Sequence, residues 1–168
     1  MSAGTLISVA EYLSSVYEPD CDYVEGRLEE RNLGETDHSI LQRRIVVHLV
    51  LAYEAAGIEV FPELRVQVRQ DRFRVPDICL TLGHPGERIL TKPPFVCIEI
   101  LSPEDRMSRV ETRINDFLKM GVAYVWVLDP YTKQAFEATA ENGLREVKSG
   151  ALRTENPVIE LPLAGLFD

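Results

Sequence analysis

Phe95-Val96-Cys97-Ile98-Glu99-Ile100-Leu101 decides how this chain folds. Apart from Glu99 the stretch is apolar, so both faces of an extended strand through it are hydrophobic. That is the mark of a central strand covered on each side. Glu99 breaks the pattern. An unpaired charge in such a place costs on the order of several kcal/mol, so a metal ion, a cation or a shared proton is expected beside it. Upstream, Asp77 in Val75-Pro76-Asp77-Ile78-Cys79-Leu80 has the same character. Two isolated carboxylates on two interior strands point to one shared site.

Working outward, Ser102-Pro103-Glu104-Asp105 reads as a helix start. Ser102 caps, Pro103 suits the first helical position and Asp105 stands where a capping-box acid belongs. This helix runs to Met120 and stops at Gly121. Val122 to Leu128 is a further strand, and Gln134 to Val147 a hairpin, followed by an irregular chain end. On the other side, Gly83 to Pro94 is a loop and Phe73 to Leu82 a strand bent at Pro76, which cannot donate to a ladder. Arg65 to Arg69 alternates as a half-exposed strand does, and Ile58 to Phe61 is a short strand. Asp37 to Ala56 is a long helix with Leu41, Ile45, Leu49 and Ala52 on one face, ended by Gly57. Asp22 to Asn32 forms a hairpin arm around Glu25-Gly26, and Thr5 to Val16 a short helix with Leu6, Val9, Leu13 and Val16 aligned. This order gives an α/β (α+β) fold, a mixed sheet flanked by helices, in a single domain over residues 1–168.

The 168 residues suffice for one real core. A formal net charge of −9 argues against a broad, non-specific nucleic-acid surface. It leaves room for local basic patches, and two stand out: Arg65, Arg69, Arg72 and Arg74, then Arg106, Arg109 and Arg113. Cys21, Cys79 and Cys97 are scattered, with no CxxC pair, so reduced buried thiols are expected rather than zinc ligands. No apolar run approaches the roughly 20 residues that span a membrane. The start Met-Ser-Ala-Gly-Thr-Leu is unlike a signal peptide, and a cytoplasmic location is expected.

Asp77 and Glu99 are hard oxygen donors of the kind that bind Mg²⁺ or Mn²⁺, with waters and substrate phosphates completing the octahedron. Such an ion activates water for phosphoryl displacement. A cation beside the reacting phosphate would help. Position 101, on the same side as 99, is Leu101. The next helix offers Arg113, beside the apolar stripe of Val110, Ile114 and Phe117, with Arg106 as a neighbour; Lys119 points away. Arginine stays protonated, so it would clamp phosphate or stabilise charge rather than act as a base. A bland reading stands beside this one: Asp77 as a strand-end cap, and Arg113 as an ion-pair partner of Glu99 or Asp116. His38 and His48 read as hydrogen-bonded histidines at the core edge, although His38 could face the same cleft. Glu63, after Pro62, reads as a turn carboxylate or a third acid.

Taken together, Tyr23-Val24-Glu25-Gly26-Arg27-Leu28, the His38 helix start, Val75-Pro76-Asp77, Glu99-Ile100-Leu101-Ser102-Pro103 and Gly121 to Pro130 resemble the PD-(D/E)XK nuclease superfamily. The resemblance is closer to the Uma-type putative restriction endonuclease family of bacteria. It implies a restriction-endonuclease-like core of about four strands with an added C-terminal hairpin. It also implies a Mg²⁺ (or Mn²⁺)-dependent endonuclease acting on DNA, with Asp77 and Glu99 as ligands joined by the Ile100 carbonyl, and a homodimer. The superfamily's lysine would fall at Leu101. In the Uma-type family a lysine from the following helix takes its place, and Arg113 stands there in this chain. The alternative is a catalytically degenerate nuclease fold that binds nucleic acid or protein.

Overall fold

The computed structural model describes residues 5–32 and 34–168. Their elements are α1 (Val9–Ser14), β1 (Cys21–Val24), β2 (Arg27–Glu30), α2 (Thr36–Tyr53), β3 (Ile58–Pro62), β4 (Val66–Arg69), β5 (Arg72–Arg74) and β6 (Ile78–Leu82). There follow β7 (Val96–Ile100), α3 (Met107–Met120), β8 (Tyr124–Asp129), β9 (Gln134–Thr139), β10 (Gly143–Glu146), β11 (Ala151–Arg153) and β12 (Glu160–Pro162). The fold is a mixed sheet flanked by helices.

The main sheet has the order β10-β9-β8-β7-β6-β3. Only β7 and β8 run parallel, joined by α3 as a crossover; the other neighbours are antiparallel. The strand through Glu99 is central, as its two apolar faces demand. Alternation sorts the core into two layers. Ile78, Leu80, Ile98, Ile100, Trp126 and Leu128 pack with Leu41, Ile45 and Leu49 of α2. Cys79, Cys97, Val125 and Val127 pack with Val110, Ile114 and Phe117 of α3. Asp77 and Glu99 share the parity of the α3 layer.

A second sheet, β2-β1-β5-β4, stands beside the first. Its hairpin turns at Glu25 and Gly26 with φ of 50° and 88°, the pair of positive values a two-residue turn needs. Tyr12, Tyr23 and Phe73 form its own small core under α1.

Several elements differ from the sequence reading. The return strand from Phe73 to Leu82 is two strands in two sheets, parted at Val75-Pro76-Asp77. The main sheet is the expected four strands, β3, β6, β7 and β8, extended by the β9–β10 hairpin to six. The chain end is not irregular, since β11 and β12 pair and bury Leu152, Ile159 and Leu161 against the α2 layer. Helix α1 is shorter than residues 5–16. The Ile7 amide bonds to Gly26 O, holding the entry extended, and Ser8 caps the helix by accepting from the Glu11 amide. Leu6 and Val16 are exposed, and Tyr12 is the residue that α1 buries. On α2, Ala52 lies exposed and the helix proper ends at Tyr53.

Ser102 does not cap α3. Its amide donates to Asp105 Oδ2 at 2.7 Å, and the Asp105 amide donates back to Ser102 O at 3.0 Å, closing a separate turn. Arg106 is then extended (φ −91°, ψ 130°), and the helix begins at Met107 without a side-chain cap. The capping-box acid reaches the expected amide, but the extended residue after it prevents continuation. α3 ends at Gly121, φ 109°, whose amide donates to Phe117 and Leu118 carbonyls. A Cβ there would lie 3.3 Å from Pro93 Cγ. Gly121→Ala is therefore expected to cost about 1–2 kcal/mol, read as a lower urea midpoint with an unchanged slope.

Candidate active site

Ile78 lies opposite Ile98 and Cys79 opposite Cys97 in the β6–β7 ladder. Continued by one residue, that register sets Asp77 opposite Glu99, on one face of the sheet. Both carboxylates are buried, 4% and 6% exposed. They line a cleft with Arg31, Asn32, His38, Ile100, Leu101, Ser102, Asp105, Val110 and Arg113. Val75-Pro76 delivers Asp77 because Pro76 interrupts the ladder where the chain leaves one sheet for the other. Leu101 faces the cleft on the side of Glu99, as alternation requires.

Every carboxylate oxygen here has a partner. Asp77 Oδ2 accepts from the Ile100 amide at 2.7 Å, and Oδ1 accepts from Arg31 with His38 Nε2 3.4 Å away. Arg113 donates to Glu99, with Nη2 2.9 Å from Oε1 and 2.8 Å from Oε2. The same nitrogen donates to Val75 O at 3.1 Å, and Nη1 lies 3.7 Å from Asp22 Oδ2. The structure thus gathers Asp77, Glu99, Ile100 and Arg113 in one place. Arg106 is exposed and lies outside the cleft lining. Glu63 is exposed too, its amide donating to Asp77 O at 3.1 Å. His48 faces Glu160 O at 3.1 Å, away from the cleft.

Because successive strand residues address opposite edges, and Leu101 N bonds to Leu128 O of β8, Ile100 addresses the β6 edge. Its amide does so onto Asp77. Its carbonyl points to that same edge.

Behind the cleft lies an ion network that the sequence reading does not include. Arg74, 2% exposed, is held by Asp22 (3.0 Å), Glu29 (2.7 Å) and Asp116 (2.8 Å). Asp22, equally buried, also accepts the Val75 amide at 2.8 Å. Arg72 joins Asp116 to Glu25. Arg65 pairs with Asp20, and Arg69 with Glu25 and Asp71. The stretch from Arg65 to Arg74 is therefore neutralised in ion pairs rather than a free basic patch. Asp22 and Arg74 carry the signal that marks Glu99, a lone charge between apolar strand neighbours. Arg31 has no such signal.

Burial pushes the Glu99 carboxyl up to about 7. Arg113 pulls it down, while Asp77 adds to the rise. Burial acts the same way on Asp77, but the His38 hydrogen bond, the Arg31 charge and the Ile100 amide together hold it below the usual carboxylate range. Burial lowers the His38 imidazole, and Asp77 more than reverses this, leaving it above its ordinary value. Burial likewise opposes the Arg113 charge, and Asp22, Glu99 and Asp77 outweigh it.

The donor set suits Mg²⁺ or Mn²⁺ in kind: two hard carboxylates, a backbone carbonyl aimed at the same edge, and a small cleft of about 30 Å³ beside them. Among the described residues no three His, Cys, Asp or Glu side chains form a metal cluster. A site here would rest on two acids and ligands from the backbone and substrate, and an entering ion would meet Asp77 and Glu99 already held by Arg31 and Arg113.

Residues 9–167 match the model of the Uma2 family, described as "Putative restriction endonuclease". The chain belongs to the Uma2 family. That membership supports a nuclease-type function. Among solved structures, one similar to this chain is described as "a putative nuclease belonging to DUF820 from Anabaena variabilis ATCC 29413". The TM-score is 0.82 at 24% identity, over 96% of this chain and 97% of that one, which shows a shared fold. No curated protein matches the chain. No helix among the described residues is long and apolar enough to cross a membrane.

Glu99 and His38 both hold protons more tightly folded than unfolded. Stability from such groups is complete below the unfolded pKa and is lost as pH rises through the folded one. The metal-free protein is expected to lose stability between pH 4.5 and about 7 on account of Glu99, and further above pH 6.5 through His38. Glu99→Gln should flatten the Glu99 part, measured by urea unfolding across that range in a chelator. Arg74→Ala, which strips three acids of their shared cation, should cost about 3–5 kcal/mol in the same assay.

Proposed function

We propose that this Uma2-family protein is a metal-dependent DNA endonuclease that hydrolyses phosphodiester bonds. The observation that carries the reading is the pairing of two buried carboxylates, Asp77 and Glu99, at the end of adjacent strands in a cleft that opens to solvent. Asp77, Glu99 and the Ile100 carbonyl would hold Mg²⁺ or Mn²⁺. When bound, such an ion activates water and offsets the charge that develops on the phosphate.

The chain's own residues supply the rest. The Ile100 amide and His38 fix the orientation of Asp77. Arg113, held by Glu99, Val75 O and Asp22, presents a permanent positive charge where a phosphate oxygen would gain negative charge, an electrostatic contribution that needs no rearrangement. It cannot take a proton from water at neutral pH, so water activation falls to the metal side. Val110 and Leu101 line the cleft with apolar surface, which strengthens the charges facing it. The family description supports DNA as the substrate, and Arg113 beside the two carboxylates suits a phosphate. A homodimer would suit cleavage of both strands.

A second reading has its own support. Both acids are already satisfied by arginine, and Leu101 stands where the superfamily has lysine. A nuclease fold that binds nucleic acid or protein without cutting would be built in this way.

Asp77→Ala and Glu99→Ala are expected to abolish plasmid nicking in Mg²⁺ or Mn²⁺ while far-UV circular dichroism is kept. Arg113→Ala should slow it about 10²–10³-fold, with Arg113→Lys recovering part of the loss. Nicking at the wild-type rate by both carboxylate variants would contradict the assignment. Wild-type protein that binds DNA but cuts it in no divalent metal would favour the second reading.

A further inference from the structure

We propose that Arg31 is a built-in competitor of the divalent ion: it holds Asp77 in the metal-free protein, yields it when metal binds, and then contacts a phosphate of the nucleic acid. This inference rests on the reading of Asp77 and Glu99 as a metal site.

Three arginines face buried acids here, and they are not equivalent. Arg74 binds three carboxylates and is 2% exposed. Arg113 has Glu99, Val75 O and Asp22 around it. Arg31, whose side chain is 12% exposed at the cleft wall, has one ion-pair partner among the described residues, Asp77 Oδ1. The first two are fixed by redundancy. Arg31 is released by the loss of a single contact.

The geometry also dictates which contact an ion would disturb. Asp77 Oδ2 is engaged by the Ile100 amide, a main-chain donor in the central strand. The Oδ1 side, held by Arg31 and approached by His38, is the side made of movable groups. A divalent cation and a guanidinium on one carboxylate oxygen repel each other, so exchange is favoured over sharing. Only the side chain has to swing. The backbone is anchored on one side by β2, where Glu30 O accepts from Arg109 at 3.4 Å. On the other side, Asn32 Nδ2 donates to Asp105 Oδ1 at 2.9 Å. A freed guanidinium is a planar fork of donors, matched to phosphate oxygens.

The test is calorimetric titration of Mn²⁺ into wild type, Arg31→Met, Arg31→Lys and Asp77→Asn. Methionine keeps the apolar stem and removes the charge; Arg31→Lys keeps the charge and guards against a folding artefact. Removing a charge-assisted competitor should tighten Mn²⁺ binding about tenfold or more in Arg31→Met, with Arg31→Lys between it and wild type and binding lost in Asp77→Asn. Equal or weaker binding by Arg31→Met, with wild-type binding still lost in Asp77→Asn, would overturn the inference and leave the metal site standing. No binding by wild type or either Arg31 variant would overturn the metal reading together with the inference. The phosphate contact has its own readout, the salt dependence of affinity for a phosphorothioate duplex. Adding Mn²⁺ should steepen the wild-type slope by about 1 and leave that of Arg31→Met unchanged. An unchanged wild-type slope would overturn the phosphate contact.

Discussion

Two carboxylates lie side by side on the α3 face of a sheet whose other inward residues, Thr81 and Glu137 apart, are apolar, and the arrangement around them follows from the cost of that burial. Glu99 cannot leave its strand without losing the β7 ladder to β6 and β8. Asp77 sits where the chain passes between two sheets, its carboxylate fixed by the amide of Ile100 and its carbonyl by Glu63 and Gln42. Compensation has to come to them. It arrives from α3 as Arg113, from the end of β2 as Arg31 and from the start of α2 as His38. The two arginines have their own desolvation to offset, and acids gather in turn behind Arg113 and Arg74. The second sheet is joined to the first through this alternation of charge and through Val66 and Val68 of β4, which pack into the apolar α3 layer.

A pair of arginines on a pair of acids is a complete structure without any ion, which explains how the fold can be stable as a free protein. It also sets the terms on which a metal enters. Breaking a buried pair leaves an uncompensated charge, so an ion must replace the cation it removes, and the displaced cation must find an anion. A phosphodiester backbone supplies that anion. On this account metal and nucleic acid assist each other's binding, with Arg31 carrying charge from one to the other.

Much of this was legible along the chain. Apolar content on both faces placed Phe95 to Leu101 at the centre, strand alternation placed Leu101 on the side of Glu99, and the isolation of Asp77 and Glu99 on interior strands pointed to one site. The phase of α3, about 100° per residue, set Arg113 beside the apolar stripe of that helix, so its approach to Glu99 could be anticipated. What was not legible comes from distance in sequence. Arg31 meets Asp77 across 46 residues and Arg74 meets Asp22 across 52, contacts fixed only once β1 pairs with β5. The capping reading of Ser102 failed for a local reason: the turn it described does form, but Arg106 is extended after it. The exposed Leu6 and Val16 misled because a helical spacing of apolar residues does not tell which turns of the chain are helical, and the backbone bond from Ile7 to Gly26 had already fixed the entry as extended.

The account depends on Asp77 and Glu99 sharing a divalent ion. A crystal structure of the protein soaked in Mn²⁺, with anomalous data, addresses this directly. The account predicts an anomalous peak in the cleft at bonding distance from one oxygen of each carboxylate and from the Ile100 carbonyl, with the Arg31 side chain turned away from Asp77. A cleft without a peak at a saturating Mn²⁺ concentration, both arginines still on their acids, would contradict it and leave the carboxylates as structural partners of Arg31 and Arg113.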